Sequence, residues 1–473
     1  MKVVLLSTYD LGHQPFGLAS PAAWLAEAGA QVTCNDLAVE DLDEGAVGGA
    51  GLICIYLPMH TATRLAGAVV PRLRALNPKA HLCFYGLYAP LNEDCLRGLG
   101  ATTILGGEFE APMARLYVRL AANGAAAPTA PANGAWAEPT VSHAKQRFRV
   151  PARHGLPALS SYAHLVAEDG ERRTAGYTEA SRGCKYRCRH CPVVPVYDGR
   201  FRIVQADVVM EDIRRQVAAG ARHITFGDPD FFNGIGHAIA IVEALAAEMP
   251  GTTYDATIKV EHLLGHVTHL GTLARTGCLF VTTAVESVDD GVLHILDKGH
   301  TRNDFAHVTG LARAAGLTLS PTFIPFTPWM SLEGYVDLLA LIAELGLVDN
   351  VAPVQLAMRL LVPQGSRLLE LDETRHHLGA FDGRALAYPW THPDARLDAL
   401  HETINRIVEV GEAGGDGRRA VFARLWEAAH EAGGRPAPPL PDAGTPVAET
   451  RVPRLSEPWY CCAEPTAEQL AGV

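Results

Sequence analysis

Residues 179–195 read "EASRGCKYRCRHCPVVP" and put Cys184, Cys188 and Cys191 on one short loop. The spacing is C-x3-C-x2-C. A closed iron–sulfur electron-transfer site uses four cysteines. Three thiolates can hold three irons of a cubane cluster, and the fourth iron is then left without a protein ligand. An open iron binds something else, and an amino group with a carboxylate can chelate it. The bland alternative is a zinc knuckle, but zinc sites usually pair C-x2–4-C with a second ligand pair.

Working outward, strand-like and helix-like segments alternate from Tyr177 to about Arg367. "VVMEDIRRQVAAGA" puts Val209, Ile213 and Val217 on one helical face, with Asp207 as the expected N-cap and Gly220 as the stop. "HITF", "YDATIKV", "LFVTTAVES", "LTLSPTFIPF" and "APVQLAMRLLVP" read as successive strands. With the strand leading into the cysteine loop they make six βα units, a partial barrel. Residues 1 to about 118 show the same alternation, from "KVVLLS" to "TTILGG", which implies a parallel, doubly wound sheet.

A C-x3-C-x2-C loop after the first strand of such a barrel resembles the radical S-adenosylmethionine (SAM) enzymes, over roughly residues 175 to 367. The resemblance implies a [4Fe–4S] cluster on Cys184, Cys188 and Cys191. It also implies reductive cleavage of SAM to methionine and a 5′-deoxyadenosyl radical. "FGDPDFF" sits where the family has a glycine-rich turn: Gly227 admits the backbone and Asp228 accepts the methionine ammonium, a donor only. Asp230 assists or faces the substrate. Lys259 pairs with the SAM carboxylate, Glu286 with the ribose hydroxyls, and Gln355 with the adenine region. His190 replaces an aromatic residue before the third cysteine, its backbone reaching adenine. Structural roles for these strand-end residues stay open.

The fold class expected is therefore α/β. A doubly wound, Rossmann-like domain (1–120) leads through a linker and connection (121–174) to a partial (β/α)6 TIM-type barrel (175–368). A helical C-terminal region (369–435) and a Pro-rich tail (436–473) follow. A doubly wound domain before this barrel resembles the cobalamin-binding arrangement of a large subgroup. The usual D-x-H-x-x-G motif is absent, however; "YDLGHQPFG" carries Asp10, His13 and Gly17 at a different spacing. Cobalamin stays open as a third cofactor.

The 473 residues carry a net charge of −12, which as a whole repels nucleic acid and anionic membranes. No apolar run long enough to span a bilayer is read, and the N-terminus reads as a strand, so a cytoplasmic enzyme is expected. Five of the ten cysteines, Cys34, Cys54, Cys83, Cys95 and Cys278, are scattered; those in strand-like runs read as packing. His376 and His377 point apart on a helix and read as surface.

The tail ends "WYCCAEPTAEQLAGV", with Cys461 and Cys462 adjacent. Neighbouring Cα atoms lie about 3.8 Å apart, short of the roughly 4.4–6.8 Å of most disulfides. Adjacent thiols instead chelate one soft atom or form a labile redox pair. "CCAEP" resembles the CUAEP/CCAEP-tail radical SAM proteins, some of which carry selenocysteine first in the pair. That resemblance implies a small thiophilic substrate, best arsenite, held by Cys461 and Cys462 and adenosylated to give a carbon–arsenic bond. Asp230 would help exclude or position water. A flavodoxin- or ferredoxin-like donor would supply electrons. The alternatives are dithiol-assisted chemistry on an organic substrate or peptide, cobalamin-dependent methyl transfer, and a non-catalytic iron–sulfur carrier.

Overall fold

The computed structural model describes residues 1–123, 138–441, 452–457 and 464–465. Cys461 and Cys462, and residues 124–137 of the linker, lie outside the described residues. The N-terminal sheet is built from β1 (Lys2–Ser7), β2 (Gln31–Asp36), β3 (Leu52–Tyr56), β4 (His81–Tyr85), β5 (Thr103–Gly107) and β6 (Val141–Ser142). Their order is β2-β1-β3-β4-β5-β6, and every pairing is parallel. The cause is in the residues: β3 "LICIY" and β4 "HLCFY" are buried along their whole length, as strands covered by helices on both faces must be. Cys54 and Cys83 face each other across β3 and β4, both fully buried as packing residues. The helix Glu110–Asn123 adds a layer not read from the sequence, running into the Ala- and Pro-rich stretch.

The chain then forms β7 (His164–Val166) and β8 (Arg172–Thr178), a two-stranded ribbon of β9 (Ser181–Gly183) with β10 (Phe201–Ile203), and β11 (His223–Phe226), β12 (Thr253–Thr257), β13 (Cys278–Glu286) and β14 (Thr318–Phe323). β8 and β11 to β14 are parallel neighbours in one curled sheet. β7 is antiparallel to β8, and the tail strand β15 (Arg454–Leu455) is antiparallel to β7. The expected α/β class and half-barrel are present. The sixth strand is not: "PVQL" is a 3-10 turn, Pro353–Leu356, and only Arg359 bridges to Phe326. Pro353 opens that turn with no N–H to give a ladder.

Two further expectations need correction. The helix over 206–218 starts at Ala206 behind Gln205, with Asp207 in the first turn rather than at the cap; there its carboxylate still meets the positive end of the helix dipole. One helical stretch, Phe231–Glu248, is long and apolar enough by length and composition to cross a membrane. Ala238, Ile241, Val242 and Leu245 on it are buried in the barrel core, so its apolar character is used in packing.

The described tail residues meet the rest of the fold at two places. From β15 the tail reaches Glu457, whose carboxylate accepts from the Tyr9 hydroxyl at 2.5 Å in the loop after β1. Further on, the Glu464 N–H donates to the Arg359 carbonyl at 3.2 Å.

Candidate active site

Gly183 ends β9 with φ +75, and a Cβ there would lie 2.4 Å from the Arg200 carbonyl oxygen. Only glycine fits, and the loop it launches carries the three cysteines. Asn233 staples that loop: it accepts from the Lys185 N–H and donates to the Gly183 carbonyl, both at 3.1 Å. Cys184 and Cys188 are buried and Cys191 is half-buried. Burial pushes the Cys184 thiol up to about 12, so iron binding there must release a proton. Soft thiolates from one loop are the donor set of an iron–sulfur cluster, and a cation stands ready beside them. Lys259 Nζ is 3.3 Å from Cys188 Sγ and 2.8 Å from Glu261, and 3.7 Å above the Tyr186 ring.

The loop opens into one cavity of about 1450 Å³ between the two domains. Ligand pockets usually hold roughly 300–1,000 Å³, so this one has room for SAM and a second molecule. His190, Gly227, Lys259, Glu286 and Gln355 all line it. Glu286 sits at a bulge where the β13–β14 register shifts, with φ +69. A left-handed glutamate is uncommon and is held by its surroundings. Its Oε1 meets His190 Nε2 at 3.3 Å and Lys298 Nζ at 3.4 Å. Burial would raise this carboxyl, but Lys298 and His190 outweigh it and hold it at about 2. The charged carboxylate is thus ready to accept hydroxyl hydrogens. Gln355 Oε1 accepts from the Phe323 N–H at 3.3 Å.

Asp228 and Asp230 are placed differently. Neither is among the residues lining the cavity. Asp228 accepts from the Ala180 N–H at 2.9 Å and the Ser181 hydroxyl at 2.5 Å, and burial raises it to about 7. Asp230 accepts from His262 Nδ1 at 2.6 Å and caps the short helix Phe231–Gly234. This turn shows the cavity Gly227 and Pro229, while Asp228 braces the strand leading into the cysteine loop and Asp230 holds His262 and the short helix. Lys298, Asn233 and Tyr186 are site residues that sequence reasoning missed; Lys298 lies in a loop, Asn233 in the short helix Phe231–Gly234 and Tyr186 between two of the cysteines, and none is marked by a periodic pattern.

Gly227 is the most confined position. A Cβ there would lie 1.8 Å from the Tyr177 hydroxyl, and the Tyr177 ring is stacked on His13 at 4.6 Å. Gly227→Ala is expected to lose about 1–3 kcal/mol by overpacking and to weaken SAM binding about ten-fold. Denaturant unfolding and equilibrium SAM binding measure the two; unchanged SAM affinity would count against this turn as a SAM contact.

Residues 178–342 match the Radical SAM superfamily. The barrel over these residues is a radical SAM domain, and its donor set fits a [4Fe–4S] cluster and SAM. Over 151 residues the chain is 26% identical to the hopanoid C-3 methylase of Methylococcus capsulatus (Bath), covering 32% of this chain and 29% of that one. The chain thus spans under a third of the curated relative it matches. Among solved structures, the cobalamin-dependent SAM radical enzyme OxsB superposes with a TM-score of 0.68 at 15% identity, over 87% of this chain and 67% of that one. The radical SAM methyltransferase TsrM from Kitasatospora setae, with cobalamin and a [4Fe–4S] cluster bound, gives 0.59 at 16% identity, over 73% of each chain. At such identities the likeness is one of fold: an N-terminal parallel sheet domain joined to a radical SAM half-barrel.

Proposed function

We propose that this enzyme transfers the adenosyl group of SAM to a thiophilic substrate, arsenite, held by Cys461 and Cys462. The tail is then of the CUAEP/CCAEP type. One observation carries the reading: the described tail residues on both sides of the pair, Ser456 and Glu457 before it and Pro465 after it, line the cavity that the cluster loop opens into. Cys462 stands two residues before Glu464 in the sequence. Thiolates select soft, thiophilic atoms over hard oxygen-seeking ones. Cluster and SAM, when bound, would supply the reductive cleavage of the C5′–S bond, with methionine leaving; as the carbon–arsenic bond forms, one arsenic-bound oxygen would leave as water, and the whole step would take two electrons and one proton. Cys184, Cys188 and Cys191 hold the cluster, Lys259 meets the SAM carboxylate and Glu286 the ribose. Electrons come from a flavodoxin- or ferredoxin-type donor.

The test is anaerobic reconstitution with SAM, reductant and arsenite, followed by mass spectrometry. An adenosyl–arsenic product is expected from wild type and not from Cys461→Ser/Cys462→Ser. Release of 5′-deoxyadenosine alone by wild type would sink arsenite and leave dithiol-assisted chemistry on an organic substrate.

A second reading, cobalamin-dependent methyl transfer, is favoured by a different observation. Parallel α/β sheets bind ligands at their carboxyl ends, at the switch in strand order. Here that edge, through Pro58, Met59, Gly86, Leu87 and Gly107, lines the same cavity, an apolar shelf that suits a flat macrocycle. Retention of cobalamin by the purified protein, read from its visible spectrum, supports this reading, and its absence removes it.

A further inference from the structure

Within the barrel, Tyr177, Thr225 and Asp255 stand side by side on β8, β11 and β12. All three line the cavity, together with Asp10 and His13 from the loop after β1. Asp255 is 4% exposed. Its Oδ1 accepts from His223 Nε2 at 2.8 Å and from Thr225 Oγ1 at 2.7 Å. Its Oδ2 has no hydrogen-bond partner among the described residues. His13 is 7% exposed and stacked on Tyr177. Its ring nitrogens likewise have no hydrogen-bond partner among the described residues, although neither is sealed from the cavity. Burial lowers His13 to about 4, so the ring is neutral and offers one acceptor and one donor. Burial, with Asp36 and Glu179 nearby, raises Asp10.

Two other buried carboxylates on the wall are matched by cations. Glu286 meets Lys298, and Glu179 meets Arg182. Asp255 and His13 both keep bonding capacity, one from each domain, as the buried His60 ring does elsewhere on the wall. We infer that His13 and Asp255, flanked by Tyr177 and Asp10, form a substrate subsite that takes a hydrogen-bond-donating group without negative charge. Arsenite has that character: free As(OH)3 carries three hydroxyl donors and no charge near neutral pH, and one hydroxyl stays when two thiolates hold the arsenic. Arsenate and phosphate, as anions, are repelled by Asp255. This deepens the arsenite reading and rests on it for the substrate's name only. The N-terminal domain then contributes to substrate recognition through His13, whatever becomes of its cobalamin shelf.

The test uses the cluster-loaded full chain with Asp255→Asn and His13→Gln, each checked for iron content and unfolding midpoint. Boric acid, a trigonal neutral trihydroxide with little thiol affinity, is the first probe, read by 11B line broadening without turnover. Broadening is expected in wild type, weakened in both variants, and not competed by phosphate. In turnover, the arsenite KM is expected to rise about ten-fold in each variant, with the SAM KM nearly unmoved. Broadening in wild type without any arsenic product would overturn arsenite and keep the subsite. No broadening in wild type, or variants matching wild type in both readouts, would overturn the subsite.

Discussion

Cys188→Ala is expected to strip the protein of its iron–sulfur absorbance and to lower SAM cleavage at least about 1,000-fold, close to 4 kcal/mol of barrier. The loop has three cysteines, so no spare thiol replaces the lost one. Cys188 also has the closest cation, with Lys259 Nζ 3.3 Å from its sulfur. Removing the thiol unbinds an iron and leaves Lys259 facing an apolar methyl. The scattered cysteines provide the contrast. Cys34→Ala, in β2 of the other domain, is expected to change stability by about 1 kcal/mol while iron content stays at the wild-type level. Iron analysis and 5′-deoxyadenosine release of the two variants decide the matter. An iron-replete Cys188→Ala enzyme would move the cluster away from this loop.

Much of this was legible because the strands announce themselves. "LICIY" and "HLCFY" are apolar along their whole length, and only a doubly covered parallel strand asks for that. The cysteine loop was legible because its chemistry depends on local spacing, which the sequence prints directly. What could not be read depends on partners far along the chain. Asp228 and Asp230 look like site carboxylates beside Gly227, yet Ala180, Ser181 and His262 claim their oxygens. Nothing local to "FGDPDFF" marks those contacts. The sixth strand failed for a steric reason, since its apolar run contains Pro353. His13 was noticed for its near-miss to a cobalamin motif, whereas its stacking on Tyr177 needs both domains assembled. The tail cysteines lie outside the described residues, and their part rests on the anchors at Glu457 and Glu464.

Arg182→Met is expected to cost about 3–5 kcal/mol, the range for breaking a buried ion pair from one side. Arg182 is 7% exposed. Its Nη2 is 2.7 Å from Glu110 Oε1 and its Nε 2.5 Å from Glu179 Oε2. The guanidinium also lies 4.8 Å from the Phe109 ring centroid and 5.0 Å from that of Phe148. Glu110 belongs to the N-terminal domain and Glu179 to the approach to the cysteine loop, so this one cation joins the domains two residues before Cys184. Lysine is not expected to rescue it, because a point charge replaces neither the fork nor the stacked plane. The pH dependence has a definite sign. In wild type, burial would raise Glu110, but Arg182 and the Ser20 and Gln146 hydrogen bonds outweigh it and keep its carboxyl below the ordinary value. Its stabilisation is therefore complete above the unfolded pKa of about 4.3 and is lost as pH falls through the lower folded value. Glu179 is already raised by burial in wild type, against the pull of Arg182; in the variant the cation is gone, so Glu110 also takes up a proton on folding and Glu179 rises further. Both folded pKa values then lie above the unfolded ones, and stability falls as pH climbs through that window. The difference between wild type and Arg182→Met is thus expected to be larger at about pH 8 than at about pH 5. Urea unfolding at the two pH values measures it, and a gap independent of pH would mean that the two carboxylates do not depend on Arg182 for their charge.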